Sequence, residues 1–99
     1  MHLSESQKKY LRGLAHQKKA VVMLGNQGLS ENVLKEIGTA LAFHELIKIK
    51  VRVGDRKERD AVLKQIVEDQ ECLLIQRVGN TATLFKRNKD KPKIQLPKN

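Results

Sequence analysis

Residues 45–53 read ELIKIKVRV, and their alternation decides what kind of fold this chain can adopt. Ile47, Ile49, Val51 and Val53 fall on one side of an extended chain, and Lys48, Lys50 and Arg52 on the other. A strand of this kind has one face in a core and one face turned to water. It belongs in a sheet, and the charged side implies that one face of that sheet stays open.

Working outward, residues 30–43 repeat apolar side chains at helical spacing, with Val33, Leu34, Ile37, Ala40 and Leu41 on one side. Ser30 is the natural N-cap, and Glu31 puts an acid in the first turn, where the helix dipole favours it. Before that helix, residues 20–24 (AVVML) are a short, continuous apolar run suited to a buried strand. Residues 4–17 are again helical. Leu3, Tyr10, Leu11, Leu14 and Ala15 supply an apolar side, while Lys8, Arg12, His16 and Lys19 stack along a basic one. Downstream, Gly54 ends the strand, and Asp55 with Glu58 forms an N-capping arrangement for a helix over 56–69. Ala61, Val62, Leu63 and Ile66 anchor it. Residues 72–78 and 81–86 are strand-like runs joined by Gly79-Asn80, the signature of a two-residue type II′ hairpin.

The resulting order is α-β-α-β-α-β-β. Helices between successive strands imply parallel pairing through right-handed crossovers, and the hairpin adds an antiparallel pair. The expectation is an α/β, two-layer domain on a four-stranded mixed sheet, with the helices on one face. Residues 1–87 form this single domain. Residues 88–99, NKDKPKIQLPKN, hold two prolines and four lysines and read as a flexible basic tail.

The 99 residues carry 20 Lys and Arg against 11 Asp and Glu, a formal net charge of +9. Such a charge on a small domain favours a polyanionic partner, either nucleic acid or an anionic membrane surface. A membrane-surface helix needs a large exposed apolar side, which the first helix needs for its own core. Nor does any run approach the ~20 apolar residues of a bilayer span. No membrane is expected, and without a signal segment the cytoplasm is the expected compartment. Aromatic residues are only 3%, which argues against a protein that stacks many bases. The one cysteine, Cys72, excludes an intramolecular disulfide and a thiolate zinc cluster. Three histidines without a paired-carboxylate arrangement give neither a metal site nor catalytic machinery, and no cofactor motif is present.

Between the first strand and second helix lies Gly25-Asn26-Gln27-Gly28. A tight turn needs at most one of the two glycines. Phosphate approaches a backbone closely only where no Cβ stands in the way, and a helix start offers unpaired amides and a partial positive charge. A Gly-x-x-Gly turn leading into a helix can therefore clamp a sugar–phosphate backbone, Gly25 permitting the turn and Gly28 the approach. The plainer alternative is a turn whose glycines only satisfy positive φ.

These stretches together resemble the CRM domain family (chloroplast RNA splicing and ribosome maturation), and in particular its small bacterial stand-alone, YhbY-like members. The resemblance covers about residues 3–87 and is carried by LRGLAH at 11–16, VVMLGNQGLS at 21–30 and ALAFHELIKIKV at 40–51. It implies the fold of the C-terminal domain of translation initiation factor three. It also implies an RNA-contacting glycine loop like that of KH domains, and association with precursors of the large ribosomal subunit. Family loops often carry a lysine between the glycines, whereas Asn26 and Gln27 are neutral, so charge there is expected from Lys18, Lys19 and the helix dipole. The expected RNA-binding residues are Gly25, Asn26, Gln27, Gly28, Lys8, Arg12, His16, Lys18, Lys19, Lys48, Lys50 and Arg52. The expected protein is a monomeric, non-enzymatic RNA binder of ribosomal RNA or large-subunit precursor particles. The alternative is a non-catalytic subunit or accessory factor of an RNA-processing or splicing enzyme.

Overall fold

The computed structural model describes residues 2–25 and 28–98. It contains α1 (Glu5–Ala15), β1 (Ala20–Leu24), α2 (Glu31–His44), β2 (Leu46–Val51), α3 (Arg56–Gln70), β3 (Leu73–Val78) and β4 (Thr81–Phe85). The four strands make one mixed sheet in the order β1-β2-β4-β3, with β1 parallel to β2 and the other pairs antiparallel.

Each helix begins where its capping residue dictates. Ser4 Oγ accepts from the Gln7 amide at 3.1 Å while Gln7 Oε1 accepts from the Ser4 amide at 3.0 Å, a reciprocal capping box. Ser30 Oγ accepts from the Val33 amide at 3.2 Å, and Asp55 Oδ1 from the Glu58 amide at 2.9 Å. Each such cap stabilises its helix by about 1 kcal/mol. In the β3–β4 hairpin, Gly79 takes φ 61 whereas Asn80 is not among the positive-φ residues, which matches a II′ turn rather than I′.

Ile47, Ile49 and Val51 of β2 join Val22, Leu24, Ala82 and Leu84 in a core against Ile37 and Leu41 of α2 and Leu63 and Ile66 of α3. Ala61, expected to anchor α3, is exposed; Val62 and Val67 pack at the margin instead. Burying each of these Leu and Ile side chains contributes roughly 1.5–3 kcal/mol.

The two-layer expectation describes that side of the sheet, but α1 does not lie on it. Leu11 and Ala15 of α1 pack with Leu3, Leu46, Ile75 and Phe85 in a second core cluster. The cause is a single cross-strand row, Leu46–Phe85–Leu73, which is apolar on the lysine face. The alternation that begins at Ile47 hides Leu46, which belongs with Lys48 and Lys50. A partial third layer results.

Two boundaries also move. The first helix ends at Ala15, with the His16 amide donating to Arg12 and Gly13 carbonyls, so Lys19 does not extend its basic side. Residues 88–98, expected as a flexible tail, instead run back over the body. Glu45 is fully buried at the α2–β2 junction, and its carboxylate accepts from the amides of Asn88 (2.7 Å), Lys93 (2.7 Å) and Ile94 (2.8 Å). Ile94 and Leu96 pack on the second cluster, and Gln7 Nε2 donates to the Pro97 carbonyl at 3.0 Å. The segment is a strap: apolar side chains at 94 and 96 have a surface to cover, and a buried carboxylate needs its amides.

Candidate nucleic-acid interface

α1 covers only one row of the lysine face. The two remaining rows run Ala20–Lys48–Thr83–Gln76 and Met23–Lys50–Thr81–Val78 across all four strands. Each row carries one cation, on β2, with threonine beside it on β4. Lys48 and Lys50 are half-buried, Thr83 is buried, and Met23 and Val78 at the margins are exposed. Strand alternation puts Lys48 and Lys50 about 7 Å apart along β2, close to the spacing of successive phosphates.

The C-terminal end of α1 walls this surface. Arg12 and His16 line a cleft with Lys48, Gln76, Thr81 and Thr83, and no acidic side chain lines it. Lys48 Nζ approaches the His16 carbonyl at 3.5 Å, so the carbonyl at the end of α1 steadies the ammonium. Three of the expected residues, Arg12, His16 and Lys48, therefore meet in one place. Lys8 lies one turn earlier on α1 and is occupied by an exposed pair with Glu5 at 3.8 Å.

Arg52 follows Lys50 at the next alternate position, just past β2, and its amide donates to the Leu24 carbonyl at 2.9 Å. That bond brings Arg52 beside Gly25 and the loop leading to α2. Lys18 and Lys19 are not there. They precede β1, and six residues of extended chain place Lys19 roughly 20 Å from Gly25. The expectation that they charge the glycine loop is corrected: Arg52 is the cation adjoining it, because β1 and β2 are parallel and end together.

The two glycines differ in backbone conformation. Gly28 has φ 75 and donates its amide to the Gly25 carbonyl at 3.0 Å, so Gly28 makes the turn. Gly25 is exposed and lacks positive φ, and among the described residues no atom beyond its chain neighbours lies within 4 Å of the position a Cβ would take. The turn does not explain Gly25; close approach of a ligand would. Asn26 and Gln27 lie outside the described residues. The start of α2, with Ser30 satisfying one of its amides, completes this end of the surface.

Sequence reasoning missed Gln76, Thr81 and Thr83. The hairpin turn does place Thr81 opposite Val78, but which face meets Lys48 and Lys50 depends on the β2–β4 register. Among the described residues, no group of three or more His, Cys, Asp or Glu is placed to hold a metal ion. No helix among them is long and apolar enough to cross a membrane. Cys72 is buried, and burial pushes its thiol up to about 11, which suits a structural rather than a reactive group.

Residues 3–86 match the CRS1 / YhbY (CRM) domain. The chain is 45% identical over 96 residues to a Haemophilus influenzae protein named as RNA-binding, covering 97% of this chain and 96% of that one. It is 34% identical over 95 residues to YqeI of Bacillus subtilis, named a probable RNA-binding protein, covering 96% and 99%. The solution structure of a hypothetical Staphylococcus aureus protein, a candidate RNA binder, superposes with a TM-score of 0.81 at 30% identity, covering 97% of this chain and all of that one.

Proposed function

The chain belongs to the CRS1/YhbY (CRM) domain family, and from that premise we propose that it is an RNA-binding protein that holds RNA without chemistry of its own. The observation that carries the reading is a continuous cationic path. It begins at Arg12, with His16 beside it as a hydrogen-bonding ring, follows Lys48 and Lys50 through the two open rows, and ends at Arg52 beside Gly25 and the start of α2. Ammonium and guanidinium groups along it pair with phosphates, and the Gly25 backbone and the helix start receive one more. The Thr81 and Gln76 side chains supply donors and acceptors suited to ribose hydroxyls and base edges. The names of the relatives favour RNA over other polyanions. The family resemblance makes ribosomal RNA in precursors of the large subunit the partner we propose.

Salt titration tests this. With about four phosphates neutralised on single-stranded RNA, log K falls against log salt with a slope of roughly −3. Lys48→Ala with Lys50→Ala removes two of them and flattens the slope by about 1.4. A wild-type slope near zero, or a double variant with unchanged affinity and slope, overturns the reading. Crosslinking in cells followed by RNA sequencing tests the ribosomal partner, which requires enrichment of precursor large-subunit RNA.

A further inference from the structure

The chain has three aromatic rings, Tyr10, Phe43 and Phe85. Phe85 is fully buried, as a core ring should be, but Tyr10 is 42% exposed and Phe43 is 63% exposed. Both exposed rings line one groove, of about 530 Å³, between the C-terminal ends of α1 and α2 and the strap. That volume lies within the range of small-ligand sites. Sparse aromatics should go to the core first, so the pairing of two outside it, in one concavity, needs a cause.

The rest of the lining says what would fill it. Lys18 and Lys93 bring two cations and Gln17 and Gln95 two amides, while no Asp or Glu lines the groove. Lys93 Nζ stands 4.5 Å from the centroid of Phe43, and His44 meets that ring edge-on at 4.7 Å between centroids. Neither lysine is ion-paired among the described residues. Flat apolar faces, amides and cations without acid complement a nucleotide: ring for base, amide for base edge, ammonium for phosphate. An apolar peptide would use the rings but leave the cations without a partner.

We infer that this groove is a nucleobase-binding site, separate from the cationic path on the sheet, in which an unpaired base of single-stranded RNA stacks on Tyr10 and Phe43 as the Lys93 ammonium swings from the Phe43 face to a phosphate. It rests on the RNA-binding reading above and adds a second station to it. A second groove between α2 and β1, lined by Val21, Asn32, Lys35, Glu36 and Thr39, shares Phe43 and His44 and leads back along α2 towards its glycine-loop end. The strap is part of the site: the Glu45 carboxylate binds the amides of Lys93 and Ile94 and so sets Lys93 above the ring.

The test uses the full chain with two ten-nucleotide RNAs, one of mixed sequence and one with abasic positions throughout. Tyr10 is the sole tyrosine and no tryptophan is present, so its emission reports the groove directly. Stacking quenches that emission with the base-bearing RNA only. Phe43→Ala weakens the base-bearing RNA about five- to a hundredfold, the loss of one stacked base. It leaves abasic affinity and the salt slope unchanged, whereas Lys48→Ala with Lys50→Ala weakens both RNAs. If wild-type protein binds RNA but Phe43→Ala and Tyr10→Ala bind like it and emission does not respond, the base site is overturned while the RNA-binding reading stands. If the two aromatic variants lose self-association instead, the groove is a contact between copies and the proposal fails. Wild-type protein that binds neither RNA overturns both.

Discussion

Gly25 and Gly28 differ in backbone conformation, and substitutions separate what each contributes. A side chain at Gly28 is strained because φ is 75 there. Gly28→Ala should destabilise the fold by about 1 kcal/mol. Gly25→Val meets no neighbour among the described residues and no positive φ, so it should unfold at the wild-type temperature. If phosphate approaches the Gly25 backbone, RNA affinity should still fall about tenfold, one lost charge-assisted contact. Wild-type affinity in a folded Gly25→Val protein would sink the clamp. Glu45 is a second residue with a measurable signature. Burial alone would raise its carboxyl, but the amides of Asn88, Ile94 and Lys93 and the charge of Arg87 outweigh burial and hold it below the ordinary 4.5. A depressed carboxyl stabilises the fold fully above its unfolded value, and that contribution is lost as pH falls through the folded value. Glu45→Gln should therefore cost about 2 kcal/mol at neutral pH. Thermal unfolding of both proteins should show this gap constant above about pH 5.5 and closing on acidification below the ordinary carboxylate range.

Among the elements, the strap and α1 are the informative pair, since both sit on the face that was expected to be open. Truncation after Arg87 removes the packing of Ile94 and Leu96 and strands the buried Glu45 carboxylate. The two effects together cost roughly 3 kcal/mol or more. For a domain of this size that lowers Tm by at least about 10 °C. A truly loose tail would come off without a change in Tm, so calorimetry of the truncated chain decides between the two. The strap also explains why the end of the chain is not merely basic. Among its four lysines it carries Ile94 and Leu96, and the apolar pair, not the charge, has a surface waiting for it.

Across the whole molecule, one sheet serves two cores. β2 contributes Ile47, Ile49 and Val51 to the α2–α3 side and Leu46 to the α1 side, and β4 contributes Ala82 and Leu84 to the first and Phe85 to the second. Neither core can be lost without disturbing the strands that carry the other. Leu11→Ala and Ile66→Ala, one in each cluster, should each lower stability by about 2–5 kcal/mol. Both variants should unfold in a single transition, seen at one midpoint by circular dichroism and by Tyr10 emission on α1. Separate midpoints would show that α1 and its cluster melt as an independent unit. The proposed cationic path crosses the same shared strands, so a loss of either core should also disturb it.

The sequence by itself determined what acts over a few residues. Ser4, Ser30 and Asp55 start their helices, Gly79-Asn80 turns the hairpin, and the alternation after Ile47 puts Lys48, Lys50 and Arg52 on one side. These signals are local because a cap bonds within one turn and a strand alternates with its own neighbours. Only the tertiary structure decided which helix lies on which face, because that depends on registers joining distant residues. The Leu46–Phe85–Leu73 row exists only once β2, β4 and β3 are aligned, and it draws α1 over the lysine face as far as Lys48. The same alignment moved Arg52 to the glycine loop, left Lys18 and Lys19 at the far end of β1, and let a buried Glu45 gather the amides of a strap more than forty residues later. A carboxylate beside an apolar strand gives no sign in the sequence of amides that arrive so much farther along the chain.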